Sequence, residues 1–313
     1  MNWRTKSKIQ RACAALPIGS DSVYYLIQRY GGSLRRARDP RELVAAGASL
    51  VEDLRKHGFG VEGKRVMEIG TGRYLELPIA MYLAGADSVL TVDLNPLLKE
   101  RLVLQSVRQM REHSDQVIGA FSRLQDKRDV VQRFARVTNA KSLAELLDIA
   151  SIEYRSPSDA TKTGLPLQSI DVQFSYTVFE HIPGPILTGI LREANRILTP
   201  NGAAIHHIDP SDHFAHDDPS ISFVNFLQYS EREWDRLAGN SFAYHNRLRV
   251  SDYERIYQDA GHKVLMWDAH INTACVAALE NSFPLAAQYK DRPIPDLASV
   301  VLRVISTPNS SAK

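Results

Sequence analysis

The sequence predicts a doubly wound α/β fold built on a mostly parallel, seven-stranded sheet. Short apolar runs typical of buried parallel strands recur along the chain, helical patterns separate them, and a glycine-rich turn follows the first run. The length of 313 residues suffices for one such domain with insertions. Apolar residues make up 44% and charged residues 24%, which excludes a wholly disordered chain.

The chain opens with a helical segment. Apolar residues at helix-like spacing predict helices over residues 1–62. They include Val23, Leu26 and Ile27, and later Leu50 and Leu54. Glycines at 58, 60 and 63 end this segment. The α/β domain then covers residues 63–306.

The strands of that domain are short runs bounded by turn residues. Their predicted ranges are 65–70, 88–94, 152–155, 171–178, 203–208, 262–268 and 299–306. Helices are predicted over 77–83, 186–198 and 252–260. Because strands and helices alternate, a mostly parallel sheet is expected, and the last two strands are expected to close it as a pair. Thr199-Pro-Asn-Gly202 predicts a tight turn before strand five, in which Gly202 supplies permissive backbone angles.

Two insertions and a tail complete the domain. Residues 97–150 carry helical faces without a convincing strand, and residues 209–250 are polar and aromatic. The tail, residues 307–313, has a disordered composition.

Charge and cysteine content restrict the function classes. The net charge of +2 is too small to indicate a nucleic-acid partner, and none is expected. The basic run Arg35, Arg36 and Arg38 is interpreted as a solvent-exposed helical face. Cys13 and Cys275 give neither a disulfide framework nor a zinc pattern. No apolar run approaches the length of a membrane span, and we expect a cytoplasmic protein.

The sharpest chemical signal is Glu68-Ile-Gly70-Thr-Gly72, at a strand-to-helix junction, together with Asp93 at the end of the next strand. Glycines let the backbone approach a ligand closely, and an acid at the end of strand two can accept hydrogen bonds from a ribose diol. This pairing predicts adenosine recognition. Tyr74 occupies the place of the third glycine of a dinucleotide motif, and Glu68 would repel a pyrophosphate but attract a cationic sulfonium.

These residues resemble the first motif and the ribose-binding acid of the class I S-adenosylmethionine-dependent methyltransferases. The similarity continues through Ser158-Asp-Ala160, Asp171-Val-Gln-Phe-Ser175, Phe179-Glu-His-Ile182 and residues 191–202. The resemblance implies a Rossmann-like methyltransferase fold and S-adenosyl-L-methionine as cofactor. The cofactor-binding residues that it implies are Glu68, Gly70, Thr71, Gly72, Asp93, Leu94, Asp159, Ala160 and Ser175.

Methyl transfer to oxygen requires a base beside the aligned nucleophile. His181, just beyond strand four, and His213 and His216, in the loop after strand five, are the candidate catalytic residues. That loop is rich in His and Asp, which suits a metal, but no defined ligand spacing appears and no metal ligand is assigned. Substrate binding is expected from three further residues, Tyr176, Asn246 and Arg247.

The leading hypothesis is methylation, most simply at oxygen, of a small or medium-sized acceptor such as a metabolite, natural product or sugar. Three alternatives stay open: an NAD(P)-dependent oxidoreductase or epimerase, a non-catalytic protein that binds a nucleoside cofactor, and a metal-dependent hydrolase using the His and Asp loop. The sequence does not identify the acceptor or the oligomeric state.

Overall fold

A computed structural model describes residues 1–14, 39–124, 126–240 and 244–309. The predicted helical positions Val23, Leu26 and Ile27 lie outside the described residues. So does the basic run at residues 35–38.

The centre of the protein is one seven-stranded sheet, which confirms the predicted fold class. The strands are β1 Arg65–Ile69, β2 Ser88–Val92, β3 Ile152–Arg155, β4 Ile170–Tyr176, β5 Leu198–Ile208, β6 His262–Ile271 and β7 Ser299–Pro308. Their order across the sheet is β3-β2-β1-β4-β5-β7-β6. The first five strands pair in parallel, whereas β7 pairs antiparallel with both β5 and β6. The two closing strands are present as predicted, and their antiparallel orientation is a finding of the structure.

Helices connect and cover these strands. They are α1 Trp3–Ala14, α2 Pro40–Lys56, α3 Glu76–Leu83, α4 Glu100–Glu112, α5 Ser114–Gly119, α6 Lys127–Asn139, α7 Leu143–Ile149, α8 Gly184–Ile197, α9 Glu231–Ala238, α10 Val250–Asp259, α11 Thr273–Glu280 and α12 Ile294–Leu297. The predicted insertion over residues 97–150 is thus four helices between β2 and β3. Short 3₁₀ turns lie at Phe179–His181, Asn225–Gln228 and Ala287–Tyr289.

Both faces of the sheet are buried at its central strands, where successive residues point to opposite sides and each side packs into a core. Val66 of β1 joins a core with helices α2 to α7, while the next residue, Met67, joins a core with α8 and α10. The same alternation separates Val89 from Leu90 in β2. The apolar runs that predicted the strands are continuous for this reason.

A third apolar cluster attaches the N-terminus to the end of the domain. Trp3 of α1 is buried and stacks on Trp234 of α9, with ring centroids 5.9 Å apart. Phe214, Phe226 and Leu297 complete the same cluster. Helix α1 therefore covers the insertion that follows β5.

Three details differ from the sequence-based expectations. Strand β5 begins at Leu198, and residues 199–202 form an irregularity within it, since Ile170 pairs with Leu198 but Val172 pairs with Ala203. A Cβ at Gly202 would lie 2.8 Å from the carbonyl oxygen of Asp171, so close approach, not a special backbone angle, requires glycine there. Thr307 and Pro308, predicted to be disordered, belong to β7, and the helices at residues 273–297 were not predicted.

Among the described residues, no helix combines the length and apolarity needed to cross a bilayer.

The contact between α2 and α3 gives a test of this packing. A Cβ at Gly47 in α2 would stand 2.5 Å from the Cβ of Ala80 in α3, whereas a Cβ at Gly119 in α5 would meet no atom within 4 Å. We expect Gly47→Ala to destabilise the fold by about 1–3 kcal/mol, because overpacking forces the two helices apart. Thermal or urea unfolding measures this, with Gly119→Ala as the matched control. Equal stability of the two variants would contradict the close contact.

Candidate functional site

A cavity of about 500 Å³ opens at the carboxyl ends of β1, β2 and β4. Ligands bind at this edge in open α/β sheets, because the loops that follow parallel strands converge there. Of the residues predicted to bind cofactor or substrate, those that line this cavity are Glu68, Gly70, Thr71, Gly72, Asp93, Leu94, Asp159, Ala160 and Tyr176. His181 lines it as well.

The turn after β1 depends on its two glycines. Gly70 has a φ of +86° and Gly72 a φ of +65°, which lie in the left-handed region that favours glycine. A Cβ at Gly70 would lie 2.5 Å from a methyl group of Val178, so the turn packs directly against the chain leaving β4. At Gly72 the space for a Cβ is open. A bare stretch of backbone therefore faces the cavity.

Asp93 joins this turn to its neighbours. Its carboxylate accepts hydrogen bonds from the backbone N–H of Gly72 at 2.8 Å and of Asn95 at 2.9 Å. Its backbone carbonyl accepts a bond from the N–H of Ser158 at 2.9 Å. Burial raises the pKa of Asp93, although these two N–H groups oppose the rise. Leu94 follows on the rim and is 68% exposed.

Glu68 lies at the buried end of the cavity. Burial raises the pKa of its carboxyl group to about 8, although a hydrogen bond from the hydroxyl of Thr91 opposes the rise. The hydroxyl of Thr71 lies 2.5 Å from that of Thr91 and extends the network. The group is thus mostly protonated near neutral pH, and a cation placed beside it would favour ionisation.

Asp159 lies at the opposite end, in the loop after β3. Its carboxylate accepts hydrogen bonds from the backbone N–H of Thr161 at 2.8 Å and from the Thr161 hydroxyl at 2.7 Å. These bonds lower the pKa of Asp159, so the group is ionised at neutral pH. Asp159 and Ala160 thus line the cavity from the loop after β3.

Ser175 does not line the cavity, which corrects its assignment as a cofactor contact. It is fully buried in β4, and its hydroxyl lies 2.8 Å from Nδ1 of the buried His206 in β5. The following residue, Tyr176, lines the cavity and stacks on His207, with ring centroids 4.3 Å apart.

His181 stands between the large cavity and a second, smaller one of about 170 Å³. Its Nδ1 lies 2.9 Å from the backbone carbonyl of Tyr244. Because a carbonyl only accepts, Nδ1 carries the proton and Nε2 keeps a free lone pair. Burial, and secondarily the nearby His213, lowers the pKa of His181. The ring is therefore a neutral base at neutral pH.

Three imidazoles and three further aromatic rings line the smaller cavity; they belong to His181, His213, His245, Phe214, Phe226 and Trp234. Helix α1 also contributes to its wall through Lys6 and Gln10. His245, which was not predicted as a site residue, packs edge-on against His213 with ring centroids 4.6 Å apart. The cluster brings together residues from three separate loops.

His213 and His216 lie behind His181 and do not line the large cavity. The Nε2 atoms of His213 and His216 stand 3.4 and 3.3 Å from the same carboxylate oxygen of Asp209. The hydrogen bond to Asp209 raises the pKa of His216. Of the three predicted catalytic histidines, His181 alone reaches the large cavity.

Asn246 and Arg247 serve the fold and do not line either cavity, which corrects their assignment to substrate binding. The Asn246 amide donates to the carbonyls of Phe179 and Ile182, each at 2.8 Å. The Arg247 guanidinium is buried and donates to the carbonyls of Phe226 and Tyr229. Both side chains anchor the loop that holds His245 and the Tyr244 carbonyl.

Sequence reasoning also missed Glu180 and Asp209 as site residues. Glu180 is fully buried next to His181, and neither of its carboxylate oxygens has a hydrogen-bond partner among the described residues. Burial raises the pKa of Glu180 well above its ordinary value. The sequence signal that could have identified them is their position, because Glu180 follows predicted strand four and Asp209 follows predicted strand five, at the same edge of the sheet.

A family model described as a methyltransferase domain matches residues 118–206. This segment runs from α5 to β5 and includes His181, but it begins after the glycine turn. Among curated proteins, no sequence matches the chain significantly.

Solved structures with similar folds include two methyltransferase examples. Geranyl diphosphate C-methyltransferase from Streptomyces coelicolor, solved with Mg²⁺, geranyl diphosphate and S-adenosyl-L-homocysteine, shares 12% identity at a TM-score of 0.45, covering 84% of this chain and 76% of the other. A candidate S-adenosylmethionine-dependent methyltransferase from Listeria monocytogenes shares 14% identity at a TM-score of 0.44, covering 85% and 99%. Likenesses of this degree do not indicate which acceptor this chain uses.

The family match covers the middle of the chain, and the residues before it supply the glycine turn and the acid that ends β2. The match and the doubly wound sheet agree with the resemblance seen in the sequence. Over residues 118–206 the chain is therefore similar to a methyltransferase domain, and the sheet that contains this segment has the doubly wound order expected from the resemblance.

Proposed function

We propose that this protein transfers the methyl group of S-adenosylmethionine to a hydroxyl group of a small or medium-sized acceptor. The observation that carries the proposal is the large cavity, which brings together the Gly70–Gly72 turn, Asp93, Asp159 and His181 at one sheet edge. Its volume of about 500 Å³ falls within the usual range of small-molecule sites.

The residues present fit the cofactor. Asp93 ends β2 with a carboxylate suited to a ribose diol, and the open backbone at Gly72 permits close approach. Glu68 is placed to stabilise a positive charge at the buried end. When bound, the cofactor supplies an electrophilic methyl group on sulfur. The chain then holds donor and acceptor in line and excludes water.

His181 would act as the base because it lines both cavities. An acceptor hydroxyl in the smaller cavity would give its proton to Nε2 of His181 as its oxygen bonds to the methyl carbon and the carbon–sulfur bond breaks. The small volume of this cavity and its imidazole lining favour a compact polar group over an extended macromolecule.

The first prediction concerns Asp93. We expect Asp93→Asn to weaken binding of S-adenosylhomocysteine about 10- to 100-fold, because a charge-assisted hydrogen bond to the ribose is lost while the side-chain shape is kept. Isothermal titration calorimetry measures this. Asp87→Asn, an exposed position before β2, is the matched control. Binding of NAD by the wild-type protein, with none of S-adenosylhomocysteine, would overturn the proposal in favour of an oxidoreductase.

The second prediction concerns the pH dependence of cofactor binding. The pKa of Glu68 is about 8 in the free protein, so below that pH its carboxyl group is mostly protonated. A bound cation favours the ionised form, and binding therefore releases a proton. We expect affinity for S-adenosylmethionine to rise by up to about tenfold per pH unit between pH 6 and 8 and then to level off.

The control for this experiment is Glu68→Gln, which can still accept the hydrogen bond from Thr91. We expect weaker binding with little pH dependence in this variant. The same slope in wild type and variant would show that another group takes part.

The third prediction concerns His181. With an acceptor found by screening small hydroxylated compounds against methyl-labelled S-adenosylmethionine, we expect His181→Ala to lower kcat about 10²- to 10⁴-fold. Affinity for S-adenosylhomocysteine should stay near the wild-type value. His113→Ala, exposed at the end of α4, is the control. Full turnover by His181→Ala would remove the base assignment.

A further inference from the structure

The loop that follows β5 carries three potential metal ligands within eight residues, in the spacing Asp209-x₃-His213-x₂-His216. One oxygen of Asp209 and one ring nitrogen of each histidine all lie within 4.8 Å of one another. This cluster is separate from the large cavity, whose walls contain none of the three residues.

The separations are those of long hydrogen bonds, and they also match the spacing of ligands around one ion. The Asp209 oxygen stands 3.4 Å from Nε2 of His213 and 3.3 Å from Nε2 of His216. Good N–H···O bonds are shorter, at about 2.9 Å. Ligands at about 2.0–2.1 Å from a tetrahedral zinc ion stand about 3.4 Å apart. The two separations from Asp209 thus match the spacing of ligands around one ion, and all three ligand atoms lie within 4.8 Å of one another.

The ligands are also oriented by neighbouring groups. The other carboxylate oxygen of Asp209 accepts a hydrogen bond from the backbone N–H of Ser211 at 2.9 Å. Such bonds fix a ligating carboxylate and leave its second oxygen for the ion. Among the described residues, the buried Nε2 of His213 makes no hydrogen bond of good geometry, and Asp209 is the carboxylate that stands beside it at 3.4 Å. The side chain of His216 is 50% exposed, which leaves a path for an ion to enter.

An independent observation lies on the other side of His213. Glu180 is fully buried, and neither of its carboxylate oxygens has a hydrogen-bond partner in the described part of the chain. One of these oxygens lies within 4.8 Å of ring nitrogens of His181 and His213. A buried carboxyl group without partners is costly unless a positive charge stands nearby. No Lys or Arg pairs with Glu180 among the described ion pairs. An ion at the neighbouring cluster would provide that charge.

We propose that Asp209, His213 and His216 bind one divalent transition-metal ion of the zinc class, with Glu180 compensating part of its charge. Two imidazoles and one carboxylate suit Zn²⁺ better than Mg²⁺ or Ca²⁺, which prefer oxygen ligands. Three protein ligands leave a fourth position for water or for an oxygen of a bound molecule. This proposal is independent of the methyl-transfer proposal, because metal binding is measured without cofactor or acceptor.

The test uses the untagged 313-residue chain after treatment with a chelator and dialysis. Calorimetric titration with Zn²⁺, and the visible absorption of bound Co²⁺, should both give one equivalent per chain with a tetrahedral cobalt spectrum. We expect His216→Ala and Asp209→Asn to weaken Zn²⁺ binding at least about 100-fold, since each loses a ligand. His270→Ala, an exposed histidine in β6, is the matched control and should bind as wild type does.

Two further measurements keep the test decisive. Wild-type protein should gain thermal stability on addition of Zn²⁺, because the ion binds the folded state, and His216→Ala should not. Glu180→Gln should weaken Zn²⁺ binding about tenfold through the lost charge. A wild-type protein that binds no Zn²⁺, or binds it as tightly after His216→Ala, would overturn the proposal.

Discussion

The close approach of the turn after β1 to the chain leaving β4 is the constraint on which the site depends. No side chain fits at Gly70, because Val178 already occupies the space where a Cβ would stand. The two loops therefore lie in contact at the centre of the sheet, between β1 and β4. The 3₁₀ turn Phe179–His181 follows Val178 directly. The contact at Gly70 therefore also helps to position the backbone that carries the His181 side chain.

Asp93 extends this constraint to the other half of the sheet edge. Its side chain holds the turn at Gly72 and its backbone carbonyl holds the loop at Ser158. Three loops that belong to different strands are thus connected through one residue. An acid at this position has a structural role before any ligand arrives, and a ligand that uses its carboxylate would compete with the N–H groups of Gly72 and Asn95. Any substitution of Asp93 affects the structural role and the ligand-binding role together. Asparagine is the informative replacement because it keeps the shape of the side chain and removes only its charge.

The sequence predicted the sheet because its central strands are buried on both faces and read as continuous apolar runs. The range of β3 was predicted to the residue. Helix α11 was missed because Thr273–Glu280 is short and lacks a clear apolar face. Ser175 was misassigned because adjacent strand residues point to opposite sides, and residue type alone does not tell which side faces the ligand. His245 could not be found locally, since only folding brings it to His181 and His213.

The position of His181 links the two proposals. Its ring lines the large cavity on one side and contacts the ring of His213 on the other. If an ion occupies Asp209, His213 and His216, these two histidines are committed as ligands and neither can accept an acceptor's proton. His181, whose Nδ1 is fixed by the Tyr244 carbonyl, then remains as the imidazole free to do so. With a metal site beside it, the histidines of this region would have different roles. His213 and His216 would hold an ion near the acceptor, and His181 would face the reacting methyl group.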